Sequence, residues 1–299
     1  MNAPHDIAAL GMAQAAGRIA RGEMSCAEYA RALLDAIART RDSNAWIHVD
    51  AEGLSKAAAA ADREPAARGP LHGVPLAFKD NIDVAGLPTT AGSPALRGHV
   101  PRTSSAIAQR LLDAGALALG KTNLHEFALG ITNDNAAFGA VRNPHAPDRI
   151  AGGSSGGAGA AVAALAAPAA IGTDTGGSVR IPAALCGVAG FRPSTGRWPT
   201  EGIVPISTTR DTPGAIARSV ADCALLDAVV TGRAARGTAD RRNLARQGAR
   251  VVHEEPLRGL RLGVPTRHFW TPLDDDTAKA ANAALERLRD AGAEFVRCE

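Results

Sequence analysis

The chain has 299 residues, with 45% hydrophobic and 21% charged side chains but only 3% aromatics, a composition able to bury a sizeable core by close approach of small residues. Lys and Arg outnumber Asp and Glu by 33 to 30, a formal charge of +3, so the charge balance asks for neither nucleic acid nor a membrane surface. The four cysteines, Cys26, Cys186, Cys223 and Cys298, are widely spaced with no C-x-x-C pair, which speaks against a disulfide scaffold or a zinc site.

The first 65 residues read as helical. Ser25 stands as N-cap of a helix over 27–38, and an alanine-rich helix follows over 51–62. From Leu71 short apolar runs alternate with Gly, Pro, Thr and Ser turns, the first predicting a strand over 74–78. Thr103 or Ser104 caps a helix with Ile107, Leu111 and Leu112 on its apolar face; Gly115 ends it, and a buried strand follows over 116–119. An alanine-rich helix over 158–167 leads into a strand over 169–173. Near the end, a strand over 260–264 precedes a helix carrying Ala278, Ala281, Leu285 and Leu288, stopped by Gly292 before a strand from Glu294. Helices alternating with short apolar strands predict an α/β architecture around a parallel or mixed sheet.

Three further expectations concern the chain as a whole. The basic stretch 233–250 lacks interleaved aromatics and reads as a solvated face. No secretory signal is visible, and the most apolar stretch, 158–171, is too short to span a bilayer, so a cytoplasmic location is expected. Glu299 falls inside a predicted strand, which suggests that the sequence lacks a C-terminal part.

The stretch 151–181, AGGSSGGAGAAVAALAAPAAIGTDTGGSVRI, holds two glycine-flanked serines, Ser154 and Ser178. A loop–helix–strand–loop path between them can return the second serine to the first. A serine hydroxyl is a weak nucleophile until a base takes its proton, and an acyl-transfer intermediate needs preorganised donors at its oxyanion. Thr175-Gly176-Gly177-Ser178 can present up to four backbone N–H groups, and the glycines permit close approach. The competing linker reading conflicts with the apolar helix and strand texture around both runs.

Gly115 to Thr122 formally matches G-x-x-x-x-G-K-T, but it follows a helix and its middle reads as a strand. A phosphate-binding loop needs the reverse order. His125 beside Glu126 reads as a structural hydrogen-bonding pair. The preferred base is Lys79, at the end of an apolar strand where burial lowers a lysine pKa.

Together these motifs resemble the amidase signature family. The resemblance runs from about Leu71 to Val230 through GVPLAFKDNIDVAGLPTTAGS, GALALGKTNLHEFALGITNDN and GGSSGGAGAAVAAL…IGTDTGGSVRIPAALCGVAGFRPSTGR. Ser154 and Ser178 lie 24 positions apart, the spacing of the family's paired serines. The resemblance implies a Ser–Ser–Lys triad, with Lys79 as neutral base, Ser154 as bridging serine after a cis peptide bond, and Ser178 as nucleophile. It also implies an oxyanion hole from the N–H groups of Thr175, Gly176, Gly177 and Ser178, with Asp174, Ser155 and Arg180 holding the loop.

Further implications of the resemblance are an α/β/α layered fold with a central mixed sheet, here without its C-terminal part, and hydrolysis of a small amide through an acyl-enzyme, with no cofactor and no metal. Residues 1–65 would form a helical segment packing on a catalytic core over 66–230. Residues 231–299 would form a linker and the start of a C-terminal α/β portion, all within one structural domain. The segments 133–139, 182–187 and 209–214 look most similar to the indoleacetamide and mandelamide hydrolase subgroup, implying an aryl-acetamide-like primary amide as the small-molecule partner. The amidase component of the glutaminyl/aspartyl-tRNA amidotransferases, which releases ammonia from glutamine, shares the triad and stays open as an alternative, as does a non-catalytic truncated fragment. Homodimer formation is left open.

Overall fold

A computed structural model of the chain describes residues 7–64, 66–233, 257–265, 267 and 269–298. The basic stretch, apart from Arg233, lies outside the described residues. The chain divides into two compact units, 1–248 and 249–299.

The first unit is built on a six-stranded sheet. Its strands are β1 (Trp46–Val49), β2 (Pro75–Lys79), β3 (Leu117–Thr122), β6 (Ala169–Thr173), β7 (Ala189–Phe191) and β8 (Pro213–Ala217), in the order β1-β3-β2-β6-β8-β7. The central neighbours β3, β2 and β6 run parallel, whereas β1, β8 and β7 pair antiparallel, so the sheet is mixed as expected. A short hairpin, β4 (Arg142–Asn143) and β5 (Ala146–Ile150), stands apart from it.

Alternate residues along the central strands enter different cores, because successive side chains of a strand point to opposite faces. Leu76 and Phe78 of β2, Ala169 and Ile171 of β6, and Ala215 and Ala217 of β8 join one buried cluster. Ala77, Ala170 and Ile216 join the other. On the first face lie α1 (Met12–Ala20), much of α2 (Cys26–Arg39), α4 (Ala106–Asp113) and α7 (Val220–Val230). On the second lie α3 (Ala51–Ala61), α5 (Gly156–Ala163) and α6 (Arg180–Leu185). Strands covered on both sides read as continuous apolar runs, which is why 74–78 and 169–173 were legible as strands.

Local chemistry sets the helix starts. Ser25 accepts from Glu28 N, and the Glu28 carboxylate accepts from Ser25 N, a reciprocal cap. For α4 the cap is Ser105, whose hydroxyl accepts from Ala108 N, rather than Thr103 or Ser104; the Ser104 hydroxyl instead accepts from Ala85 N. Strand β1 interrupts the N-terminal segment that read as wholly helical: its four residues are too short a run to declare a period.

The pairing of β2 with β3 contains a bulge. Leu76 stands opposite Ala118 and Ala77 opposite Gly120, so Leu119 is skipped, and the register continues with Phe78 opposite Lys121 and Lys79 opposite Thr122. The strand over 116–119 therefore runs on to Thr122, beyond its predicted end.

The second unit is a β–α–β element. Strands β9 (Arg261–Pro265) and β10 (Glu294–Cys298) pair in parallel, joined through α8 (Asp275–Asp290). Asp274 caps α8 by accepting from Thr277 N. Asp275 and Asp276 open the helix and Arg287 and Arg289 close it, the charge order that the helix dipole favours.

Candidate active site

Three parallel strands end together at one edge of the sheet, where α/β proteins place their sites. Strand β2 ends in Lys79, β3 in Lys121 and Thr122, and β6 in Thr173. Because Phe78 is the register partner of Lys121, and Lys79 that of Thr122, the two lysines project from opposite faces.

Each lysine meets a different environment. Lys121 forms a wholly buried ion pair with Asp80 at 2.9 Å and donates to Pro88 O at 2.8 Å and Thr89 Oγ1 at 2.9 Å. Burial lowers its pKa and the Asp80 carboxylate opposes that shift. This lysine of the formal G-x-x-x-x-G-K-T match sits inside an extended, buried strand and holds a carboxylate, so the segment has no phosphate-loop shape.

Lys79 has no exposed surface. Its Nζ lies 2.7 Å from Ser154 Oγ and 2.8 Å from Thr173 Oγ1. Burial pulls its pKa down to about 7, against the opposing charges of Asp174 and Asp211. A group with this pKa is largely neutral just above neutrality and can accept a proton.

Ser154 follows a cis peptide bond to Gly153, as expected, and is fully buried. It leads directly into α5, a helix packed so tightly that a Cβ on Gly157 would come within 2.4 Å of Ala45 O and 2.5 Å of Asn123 O. Asn133 Oδ1 accepts from Gly156 N at 2.8 Å, fixing the helix start. Ser155 joins the two serine loops: its N–H donates to Ser178 O at 3.1 Å, and its hydroxyl donates to Thr173 O at 3.2 Å. Ser178 is therefore tethered to the residue beside Ser154. Among the described residues no hydrogen bond joins Ser178 Oγ to Ser154 Oγ.

The loop from Thr175 to Ser178 is shaped by Asp174. Its carboxylate accepts from Gly177 N at 2.8 Å and Val179 N at 3.2 Å, and from Arg180 Nε and Nη2, both at 3.0 Å. Arg192 approaches the same carboxylate at 3.2 Å. Burial pushes the Asp174 pKa up, but the Arg180 guanidinium and the N–H donors outweigh it and hold the carboxyl below its usual range. Gly177 adopts φ +123, where an L side chain would be strained.

Because the Gly177 N–H is taken by Asp174, it is not an open oxyanion donor. Among the described residues, the N–H groups of Thr175, Gly176 and Ser178 donate to no protein acceptor. His125 touches the site through its backbone, its N–H donating to Ser154 O at 3.2 Å, while its ring lies 3.5 Å from Thr132 Oγ1.

Sequence reasoning missed Thr173, Asn81 and Asp211. Asn81 Nδ2 donates to Thr173 Oγ1 at 3.2 Å, completing a polar chain behind Lys79. Asn81, Thr173, Thr175, Ile203, Ile206 and Asp211 help line a cavity of about 230 Å³. The adjacency of Thr173 to Asp174 and the place of Asn81 two residues after Lys79 were signals; the proximity of Asp211 was visible only through strand pairing. Among the described residues no three His, Cys, Asp or Glu side chains are grouped to hold a metal ion.

A family model described as Amidase matches residues 28–299. The chain belongs to the amidase family. It is 44% identical over 290 residues to the indoleacetamide hydrolase of Rhizobium radiobacter, covering 97% of this chain and 59% of that protein. It is 41% identical over 302 residues to the mandelamide hydrolase of Pseudomonas putida, covering 98% and 56%. The X-ray structure of native peptide amidase from Stenotrophomonas maltophilia superposes with a TM-score of 0.83 at 38% identity, over 99% of this chain and 63% of that one. The chain thus spans somewhat under three fifths of the length of these curated relatives.

Proposed function

We propose that this amidase-family chain carries an acyl-transfer site that hydrolyses a small primary amide through an ester on Ser178. The observation that carries the reading is Lys79, fully buried, in hydrogen-bond contact with Ser154 and with its pKa lowered to about 7.

Neutral Lys79 accepts the Ser154 hydroxyl proton as Ser154 takes the proton of Ser178. Ser178 Oγ then bonds to the amide carbonyl carbon, and the carbonyl oxygen gains charge facing the open N–H groups of Thr175, Gly176 and Ser178. Such donors act where the charge develops, each worth on the order of 3 kcal/mol. The proton returns through Ser154 to the amide nitrogen, the C–N bond breaks, and ammonia leaves. Water, deprotonated along the same relay, attacks the ester and releases the carboxylate.

The substrate reading follows from the relatives' names and from the cavity. Indoleacetamide and mandelamide hydrolases are named for small aryl-bearing primary amides. The cavity of about 230 Å³ adjoins the site through Thr173 and Thr175, its lining including neither Ser154 nor Ser178, and its Ile203, Val204 and Ile206 beside polar Asn81 support room for a small apolar substituent rather than for a drug-sized ligand of roughly 300–1,000 Å³. A cytoplasmic setting belongs to the same proposal; no helix among the described residues is long and apolar enough to cross a membrane.

The test is covalent labelling. A fluorophosphonate added to the purified 299-residue chain should modify Ser178 alone, as mapped by mass spectrometry, and Ser178→Ala should take no label. A folded wild-type chain that remains unlabelled, or is labelled elsewhere, would sink the reading.

A further inference from the structure

We propose that Asp211 is a positioning residue of this site, acting through the Thr175 hydroxyl to hold the first oxyanion donor open. The inference rests on the amidase reading of Ser178.

In the sheet, β6 and β8 pair antiparallel, with Thr173 opposite Pro213, and Asp174 N still donates to Thr212 O at 2.9 Å. One step further, Thr175 faces Asp211, but there the backbone ladder stops. A side-chain bond replaces it: Thr175 Oγ1 donates to Asp211 Oδ1 at 2.5 Å. Had the ladder continued, the Thr175 N–H would lie in a strand with its conformation set by pairing. Instead the side chain is tied and, among the described residues, the N–H donates to no protein acceptor.

Asp211 is itself anchored. Its Oδ2 accepts from Ile206 N at 2.7 Å and Ser207 N at 2.9 Å, and its own N–H donates to Ser207 O at 3.2 Å. With both oxygens engaged, the carboxylate is poorly placed to abstract a proton and well placed to fix geometry. The loop thus has two clamps. Asp174 holds 177–180 from within, while Asp211 holds Thr175 from the neighbouring strand's approach. Gly176 lies between them, with no atom within 4 Å of where its Cβ would stand. A donor misplaced by a fraction of an ångström stabilises an oxyanion poorly, because such stabilisation depends on geometry set in advance.

The test is a double-mutant cycle on the full chain. Thr175→Val removes the hydroxyl but keeps the backbone N–H and the Asp211 loop anchors; Asp211→Asn perturbs the other partner. The readouts are the second-order rate of fluorophosphonate labelling at Ser178 and, with a primary amide, kcat separately from KM. Each single variant should slow labelling about tenfold to a hundredfold and lower kcat more than it raises KM. The double variant should be no slower than the slower single, and Thr175→Ser, which retains the hydroxyl, should recover most of the rate lost in Thr175→Val.

Labelling of Thr175→Val within twofold of wild type, or multiplying effects in the double variant, would overturn the inference. Because Thr175→Val leaves the 206–207 anchors in place, it decides the matter even where Asp211→Asn fails to fold. A folded wild-type chain that takes no label would instead overturn the amidase reading, and this inference with it.

Discussion

A lysine amine is useful as a base at neutral pH only when its environment refuses the charge, and burial is what the end of β2 provides for Lys79. Its pKa, brought down to about 7, predicts the pH dependence of the reaction. Below that value Lys79 is protonated and the relay has no acceptor. We therefore expect kcat/KM for a primary amide to climb about tenfold per pH unit below the pKa and to level off above it. A profile flat from pH 5 to 8 would exclude Lys79 as the titrating base. The nearby carboxylates Asp174 and Asp211 set the opposing field, so the position of the limb reports their charge as well as the burial.

At the scale of elements, the paired strand ends carry both the chemistry and its support. The Asp80–Lys121 ion pair has no exposed side-chain surface, and removing one partner leaves the other charge unpaired in the interior. Lys121→Ala should cost about 3–5 kcal/mol, measured by urea unfolding, whereas Lys121→Ala with Asp80→Ala should recover a substantial part of that loss. If the double variant is no more stable than the single, the pair is not the reason Lys121 is buried. The serine-bearing segments were legible because their roles are local: glycines beside Ser154 and Ser178, an alanine-rich helix between them, and an apolar run ending in Lys79. Thr173 and Asp211 were not, because what they touch is set by which strands lie side by side. Thr173 meets Lys79 through β2–β6 pairing, and Asp211 meets Thr175 through β6–β8 pairing. The occupied N–H of Gly177 escaped notice for a similar reason, since the acceptor is the side chain of Asp174 folding back over its own loop.

For the molecule as a whole, the apolar runs over 74–78 and 169–173 were enough to imply strands of a parallel or mixed sheet, whereas β8 went unread and β1 and the short β7 offer only four and three residues each. A charge kept out of that interior also writes itself into global stability. Between about pH 7 and the ordinary lysine value of 10.5, the unfolded chain holds the Lys79 proton and the folded chain does not. Unfolding therefore takes up a proton, and stability rises with pH across that window. Relative to Lys79→Met, which does not titrate, the wild-type chain should gain on the order of a few kcal/mol of unfolding free energy from pH 7 to 10; parallel curves for the two would contradict a depressed lysine. The bulge at Leu119 bears on the same interior. Without that one skipped residue, continuing the register would set Lys79 directly against Lys121, two ammonium groups on strands about 4.8 Å apart and facing the same layer. The irregularity acts as a sorter, dealing one cation to the layer where a carboxylate neutralises it and the other to the layer where it can stay uncharged and work.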